Sequence, residues 1–155
     1  MKYAFRPISF GAPEWFIDAP IGSNGGGPWT DEEKAAVKAA VETYKTKIRP
    51  LVRSADLYHV LPRPDGKVWD GIEYFDPASQ KGVLFVFKPN NPNDTQTLKL
   101  KGLDAARTYH ITFEDGSSPA VDKTGAALLD EGIDVTLPGK FVSELVLFEA
   151  VKEAP

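Results

Sequence analysis

The spacing of apolar residues along this chain changes character near Pro50. Before that point Val37, Ala40, Val41, Tyr44 and Ile48 recur at intervals of three and four, which gathers them on one face of a helix. Thr30-Asp31-Glu32-Glu33 opens the pattern as a capping box. The threonine hydroxyl suits the Glu33 N–H, the Glu33 carboxylate reaches back to the Thr30 N–H, and acids in a first turn face the positive end of the helix dipole. The pattern predicts one long helix from about Asp31 to Ile48. Pro50 disfavours helical geometry at Arg49, so the helix is expected to end or kink there.

Beyond Leu57 the period is two. Strands are predicted at residues 57–61, 68–75, 82–88, 95–101, 107–114, 126–129, 133–137 and 142–150. Pro64-Asp65-Gly66, Asp76-Pro77, Pro89-Asn90-Asn91-Pro92, Asp115-Gly116 and Pro138-Gly139 punctuate them. Short strands at this spacing predict a mainly β fold, an antiparallel β-sandwich of Greek-key type, preceded by the long helix. Val83-Leu84-Phe85-Val86-Phe87 is apolar at every position, so this strand is expected to be central and covered on both faces. Tyr109, Ile111 and Phe113 alternate with His110 and Thr112, the mark of one core face and one wet face. At the front, Tyr3 to Phe10 reads as an irregular or edge strand because Pro7 cannot donate to a ladder. A glycine-rich loop through Gly25-Gly26-Gly27-Pro28 follows it. The expected organisation is an N-terminal segment and helix over residues 1–53 and a β-sandwich domain over residues 54–155.

Composition narrows the function. At 155 residues and 42% hydrophobic the chain can bury a core. A net charge of -4 with scattered lysines and arginines gives no pull toward nucleic acid. The absence of cysteine removes disulfides, thiol catalysis and thiolate metal sites together. The start, Met1 to Phe10, has no apolar run of signal-peptide type, and no stretch approaches the ~18 residues needed to span a bilayer, so a cytoplasmic location is expected if the chain is complete.

Candidate chemistry is sparse. Asp65, Asp70, Glu73 and Asp76 cluster in sequence, but alternation puts Asp70 and Glu73 on opposite faces, and Asp65 and Asp76 sit in turns, where a short acceptor caps backbone N–H groups. Turn and solvent positions are therefore expected for all four. His59 and His110 are out of phase with their apolar neighbours, which places them on solvent faces. No two- or three-histidine zinc spacing, G-x-S-x-G elbow, calcium loop or phosphate loop is present. No catalytic residue, metal ligand or cofactor is expected. Trp15, Trp29 and Trp69 are the candidate carbohydrate-binding residues, since a pyranose ring stacks on a flat aromatic face. Trp69 also suits a packing role beneath the loop at 62–67.

Four stretches carry a resemblance. They are the acid-capped helix running into Tyr44-Lys45 and Ile48-Arg49-Pro50-Leu51; Asp56-Leu57-Tyr58 through Leu61-Pro62; Trp69-Asp70-Gly71-Ile72-Glu73-Tyr74-Phe75-Asp76-Pro77 followed by Gly82-Val83-Leu84-Phe85-Val86-Phe87; and Leu100-Lys101-Gly102-Leu103-Asp104 with Tyr109 and the closing strands through Leu137-Pro138. In order and spacing they resemble the end of bacterial α-galactosidases of the melibiase type, where a (β/α)8 barrel precedes a small antiparallel sandwich. The resemblance implies retaining enzymes whose two catalytic aspartates lie in the barrel. Only about 43 residues precede Tyr44 here, against roughly 200 or more for a barrel, so no residue inherits either role. The expected function is a non-catalytic structural support for the barrel, with a carbohydrate-binding module using exposed aromatics as the alternative. The expected partners are the barrel or a carbohydrate. The apolar helix face is expected to be covered by residues 3–17 folding back through Phe5, Phe10, Trp15 and Phe16, or by a second copy in a homodimer.

Overall fold

The computed structural model describes residues 30–152. The expected strand at residues 3–10, the glycine-rich loop, Trp15, Trp29 and the aromatic segment at residues 3–17 lie outside the described residues. The chain divides into two compact units, Met1–Pro50 and Leu51–Pro155.

In the first unit, helix α1 (Asp31–Thr43) begins on the capping box: the Glu33 N–H donates to Thr30 Oγ1 at 3.2 Å, and the Thr30 N–H donates to the Glu33 carboxylate at 2.9 Å. The helix does not stop at Arg49. It widens into a π-helical turn over Tyr44–Ile48, with the Arg49 N–H donating to the Tyr44 carbonyl, and helical geometry persists in α2 (Arg49–Val52). Pro50 explains the widening. It has no N–H to give, and its ring would press on a carbonyl one turn earlier, so a looser turn before it relieves the clash without ending the helix. Thr46 adds to the distortion by donating its hydroxyl to the Glu42 carbonyl at 2.7 Å.

The second unit is a β-sandwich. Its strands are β1 (Asp56–His59), β2 (Asp70–Asp76), β3 (Lys81–Lys88), β4 (Thr95–Leu98), β5 (Thr108–Phe113), β6 (Val121–Thr124), β7 (Ile133–Thr136) and β8 (Val142–Ala150), with α3 (Gly125–Asp130) before β7. Six strands form one antiparallel sheet in the order β1-β2-β3-β8-β5-β6, and β4 pairs with β7 in a second. β8 therefore returns from the chain end to lie between β3 and β5. The core fills the space between the sheets. Phe75, Leu84, Val86, Tyr109, Ile111, Val146 and Phe148 meet Leu98, Leu100, Leu128, Ile133 and Val135, all buried. Alternation places Tyr74, Val83, Phe85, Phe87 and Leu145 on the opposite face of the large sheet, and these are buried as well. β3 is thus inside the sheet and covered on both sides, as its unbroken apolar run predicts.

One predicted strand is a helix. Residues 126–129 lie in α3, where Thr124 Oγ1 accepts the Ala127 N–H at 3.2 Å. Ala126-Ala127-Leu128-Leu129 has no β-branched residue, and Ala and Leu are strong helix formers, so an N-cap threonine was enough to set the helix. The neighbouring strand is β6, immediately before that cap, which the alternation left unread. Gly132 (φ +87) ends the helix with its N–H on the Ala127 carbonyl. A Cβ there would lie 2.5 Å from the Leu98 carbonyl oxygen, so both backbone angle and space require glycine.

Candidate functional site

The four carboxyls of the 65–76 segment do not converge. Asp65 Oδ1 accepts the N–H groups of Val68 and Lys67 at 2.9 and 2.8 Å, and those bonds hold its carboxyl below the usual range. Asp76 is held low first by the Ser79 hydroxyl, which donates at 2.6 Å, and also by the Ala78 N–H. Both are turn caps, as expected, but Asp76 is buried and not at a solvent position. Asp70 opens β2 half-buried, and burial raises its carboxyl.

Glu73 corrects the expectation of a solvent position. It is fully buried on the core-facing side of β2, level with Tyr58 of β1 and Leu84 of β3. Burial pushes its carboxyl up to about 8, against the lowering effect of the Lys101 N–H, which donates to Oε2 at 2.9 Å. Oε1 has no partner. The sequence placed Asp70 and Glu73 on opposite faces correctly but took both as solvent positions. The usable signal was Phe75, two residues on, which shares the face of Glu73.

A second buried acid, Glu144 of β8, lies on the same face of the sheet. Its carboxylate accepts the N–H groups of Asp115, Ser117 and Leu145 at 2.9, 3.1 and 2.7 Å, tying the turn after β5 to β8. Glu73 and Glu144 are separated by β3 and offset by two residues along the strands, so their backbones are about 12 Å apart at the ordinary strand spacings. They turn to different loops, Glu73 to the Lys101 N–H and Glu144 to those of Asp115 and Ser117. Such an arrangement is two structural clamps, unlike a retaining pair facing one bond at ~5 Å.

The end of the sandwich beside Trp69 carries the densest polar network. Lys88 of β3 has a side chain only 1% exposed. Its ammonium pairs with Asp94 and donates to the carbonyls of Leu137 and Gly139 at 2.9 and 2.6 Å. It also stands 6.0 Å from the Trp69 ring centroid. The Trp69 indole N–H donates to the Asn93 carbonyl at 3.2 Å, and Asn91 Nδ2 donates to the Lys67 carbonyl at 2.8 Å. Trp69 itself is 3% exposed and lies in the core, which leaves no open face for a sugar ring. Sequence reasoning missed Lys88 because a lysine ending a strand ordinarily reaches water.

His59 and His110 are exposed. His110 Nδ1 lies 2.6 Å from Asp122 across β5 and β6. Among the described residues there is no group of three metal-ligating side chains, and no helix is long and apolar enough to cross a membrane.

The comparisons with known proteins agree with this architecture. The family model for the glycosyl hydrolase family 36 C-terminal domain matches residues 69–148. Among solved structures, the family 36 α-galactosidase AgaA from Geobacillus stearothermophilus is 24% identical with a TM-score of 0.66, covering 79% of this chain and 16% of that one. AgaB from the same organism is 27% identical with a TM-score of 0.62 over the same shares. The α-galactosidase from Lactobacillus brevis is 18% identical with a TM-score of 0.65, covering 81% and 18%. No curated protein matches. The chain therefore spans only about a sixth of the length of the enzymes it is similar to. By its sheet order, its core and the matched residues, this chain belongs to the glycosyl hydrolase family 36 C-terminal domain family.

Proposed function

We propose that this domain is the structural support of a (β/α)8 glycosidase barrel and takes no part in bond cleavage. The observation that carries the reading is the second apolar face of the large sheet. An antiparallel sheet that borders water on one side has a polar outer face. Here Val83, Phe85, Phe87, Leu145 and Tyr74 occupy the face turned away from β4 and β7. These side chains are already buried within this chain, so the large sheet is interior on both faces, and a sandwich built that way suits permanent incorporation beside the catalytic barrel of a family 36 enzyme. The segment at residues 1–53 then reads as the end of the barrel and residues 54–155 as the supporting domain.

A family 36 α-galactosidase barrel freed of its own sandwich provides the test. Adding this chain is expected to raise the melting temperature of the barrel and to increase its turnover. A barrel whose melting and turnover are unchanged at saturating chain would refute the reading. Alone, the purified chain is expected to show no turnover of an aryl α-galactoside, because both buried acids are committed to backbone clamps. Turnover that a single Asp→Asn change abolishes would place catalysis in this chain. The sugar-binding alternative has less support, since the one candidate tryptophan within the described residues is Trp69, and it is buried.

A further inference from the structure

The buried acid of β2 is unlike the other polar groups of the core. Glu144 has a backbone donor for each of its oxygens, and Lys88 has three acceptors. Glu73 has one donor, the Lys101 N–H, and its Oε1 is orphaned in an interior made by Leu84 and the residues around it. A carboxylate in that position would hold a buried charge with half of its lone pairs unsatisfied, whereas a neutral carboxylic acid would leave only one uncharged O–H without an acceptor, the smaller cost.

The groups facing Glu73 can be named element by element. From β1 comes Tyr58, its direct cross-strand partner, whose hydroxyl is raised by burial, by Asp56 and by Glu73 itself. From β3 comes the apolar Leu84. From the connection after β4 comes Lys101, which supplies its N–H to Glu73 and sends its ammonium to the His59 carbonyl at 2.8 Å. Next to it, Gly102 (φ +72) lies under Tyr58, and a Cβ there would stand 2.7 Å from the tyrosine hydroxyl. Asp70 is on the other face of β2, and Glu144 is beyond β3. Lys101 is therefore the cation able to answer a charge on Glu73, and it is at present engaged elsewhere.

We propose that Glu73 is a protonation-controlled latch: with its proton it leaves the Lys101 ammonium on the His59 carbonyl, fastening the residue 99–102 connection to β1, and losing the proton draws that ammonium to the carboxylate. The exchange removes the Lys101 bond from the end of edge strand β1, so the event deep in the core is read out at the His59 carbonyl on the rim of the sheet. The pH window follows from the positions of the carboxyl, at 4.5 in an ordinary setting and about 8 here. Below 4.5 both folded and unfolded chains keep the proton and the latch contributes in full. Between the two values the unfolded chain releases its proton and the folded one does not. The unfolding equilibrium constant then rises by up to about tenfold per pH unit and levels off above 8.

Carbon-13 NMR of the whole chain across pH 4 to 10, together with thermal melting over the same range, tests this. The Glu73 carboxyl carbon is expected to titrate near 8, with the His59 carbonyl carbon moving at the same midpoint. The melting temperature is expected to fall between roughly pH 5 and 8. Glu73→Gln mimics the protonated form and should flatten the melting profile and still the His59 signal. Lys101→Met should leave the carboxyl titration in place, shifted upward, and abolish the His59 movement. A Glu73 carbon titrating in the ordinary carboxylate range would overturn the latch. So would a His59 carbonyl that stays fixed while Glu73 titrates, since a purely structural acid gives that result. If the glutamine variant fails to fold, the two wild-type titrations decide the matter alone.

Discussion

Phe85→Ala is expected to destabilise the sandwich by about 3–5 kcal/mol, the range for an aromatic side chain truncated in a close-packed site. Phe85 is fully buried, pairs with Ile72 of β2 and Leu145 of β8, and meets Tyr74 edge-on with ring centroids 6.3 Å apart. It lies on the sheet face away from β4 and β7, so the experiment also measures whether that face is a true interior. Urea unfolding of the two proteins gives the difference directly. Phe85→Leu, which keeps most of the volume, should cost less than about 1.5 kcal/mol. A cost below about 1 kcal/mol for the alanine variant is the value of a surface position and would mean that the outer face is peripheral. The reading of a sheet that is interior on both faces, and the structural role argued from it, would lose its support with it.

That face was legible in the sequence for a simple reason. Five consecutive apolar residues cannot all point to one side of a strand, so Val83-Leu84-Phe85-Val86-Phe87 had to be covered twice. The same rule served β5, where Tyr109, Ile111 and Phe113 are buried, Thr112 is half-buried and His110 is exposed. Periodicity failed where two explanations of a short apolar run compete. Ala126 to Leu129 reads equally as a strand or a buried helical turn, and the deciding residue was Thr124, whose hydroxyl caps the helix. At Pro50 the expectation was an end or a kink; the helix does not end, and a π-helical turn absorbs the lost bond and the clash.

The polar core was the least legible part. Glu73, Lys88 and Glu144 are all fully buried, although a charged residue type in a strand ordinarily marks a position in water. Burial of a charge depends on a partner supplied from distant sequence: Lys101 for Glu73, Leu137 and Gly139 for Lys88, Asp115 and Ser117 for Glu144. No local pattern holds that information. What these three have in common is that each fixes a connection to a strand, and the loops of the sandwich are thereby fastened from inside. The stability of the domain is accordingly expected to be sensitive to single polar changes that look surface-like in sequence.

The pair Lys88 and Asp94 gives that expectation its sharpest form. Asp94 is 54% exposed at its side chain, while Lys88 is 1% exposed, so intuition assigns the larger effect to the lysine. The opposite is expected. Lys88→Met removes the buried charge together with its desolvation cost and leaves a stem of similar volume against Trp69. What remains unsatisfied is the pair of carbonyls at Leu137 and Gly139, for a net loss of about 1–3 kcal/mol. Asp94→Ala instead leaves an ammonium in the interior with neutral acceptors only, and stranding a buried charge costs about 3–5 kcal/mol. The double variant should unfold with a midpoint close to that of Lys88→Met, because Asp94 has little to do once the charge is gone. Urea unfolding of the three variants closes the cycle. If Lys88→Met proves the costlier change, the lysine acts through its carbonyl bonds and its packing on Trp69, and the ion pair with Asp94 contributes no more than an exposed one.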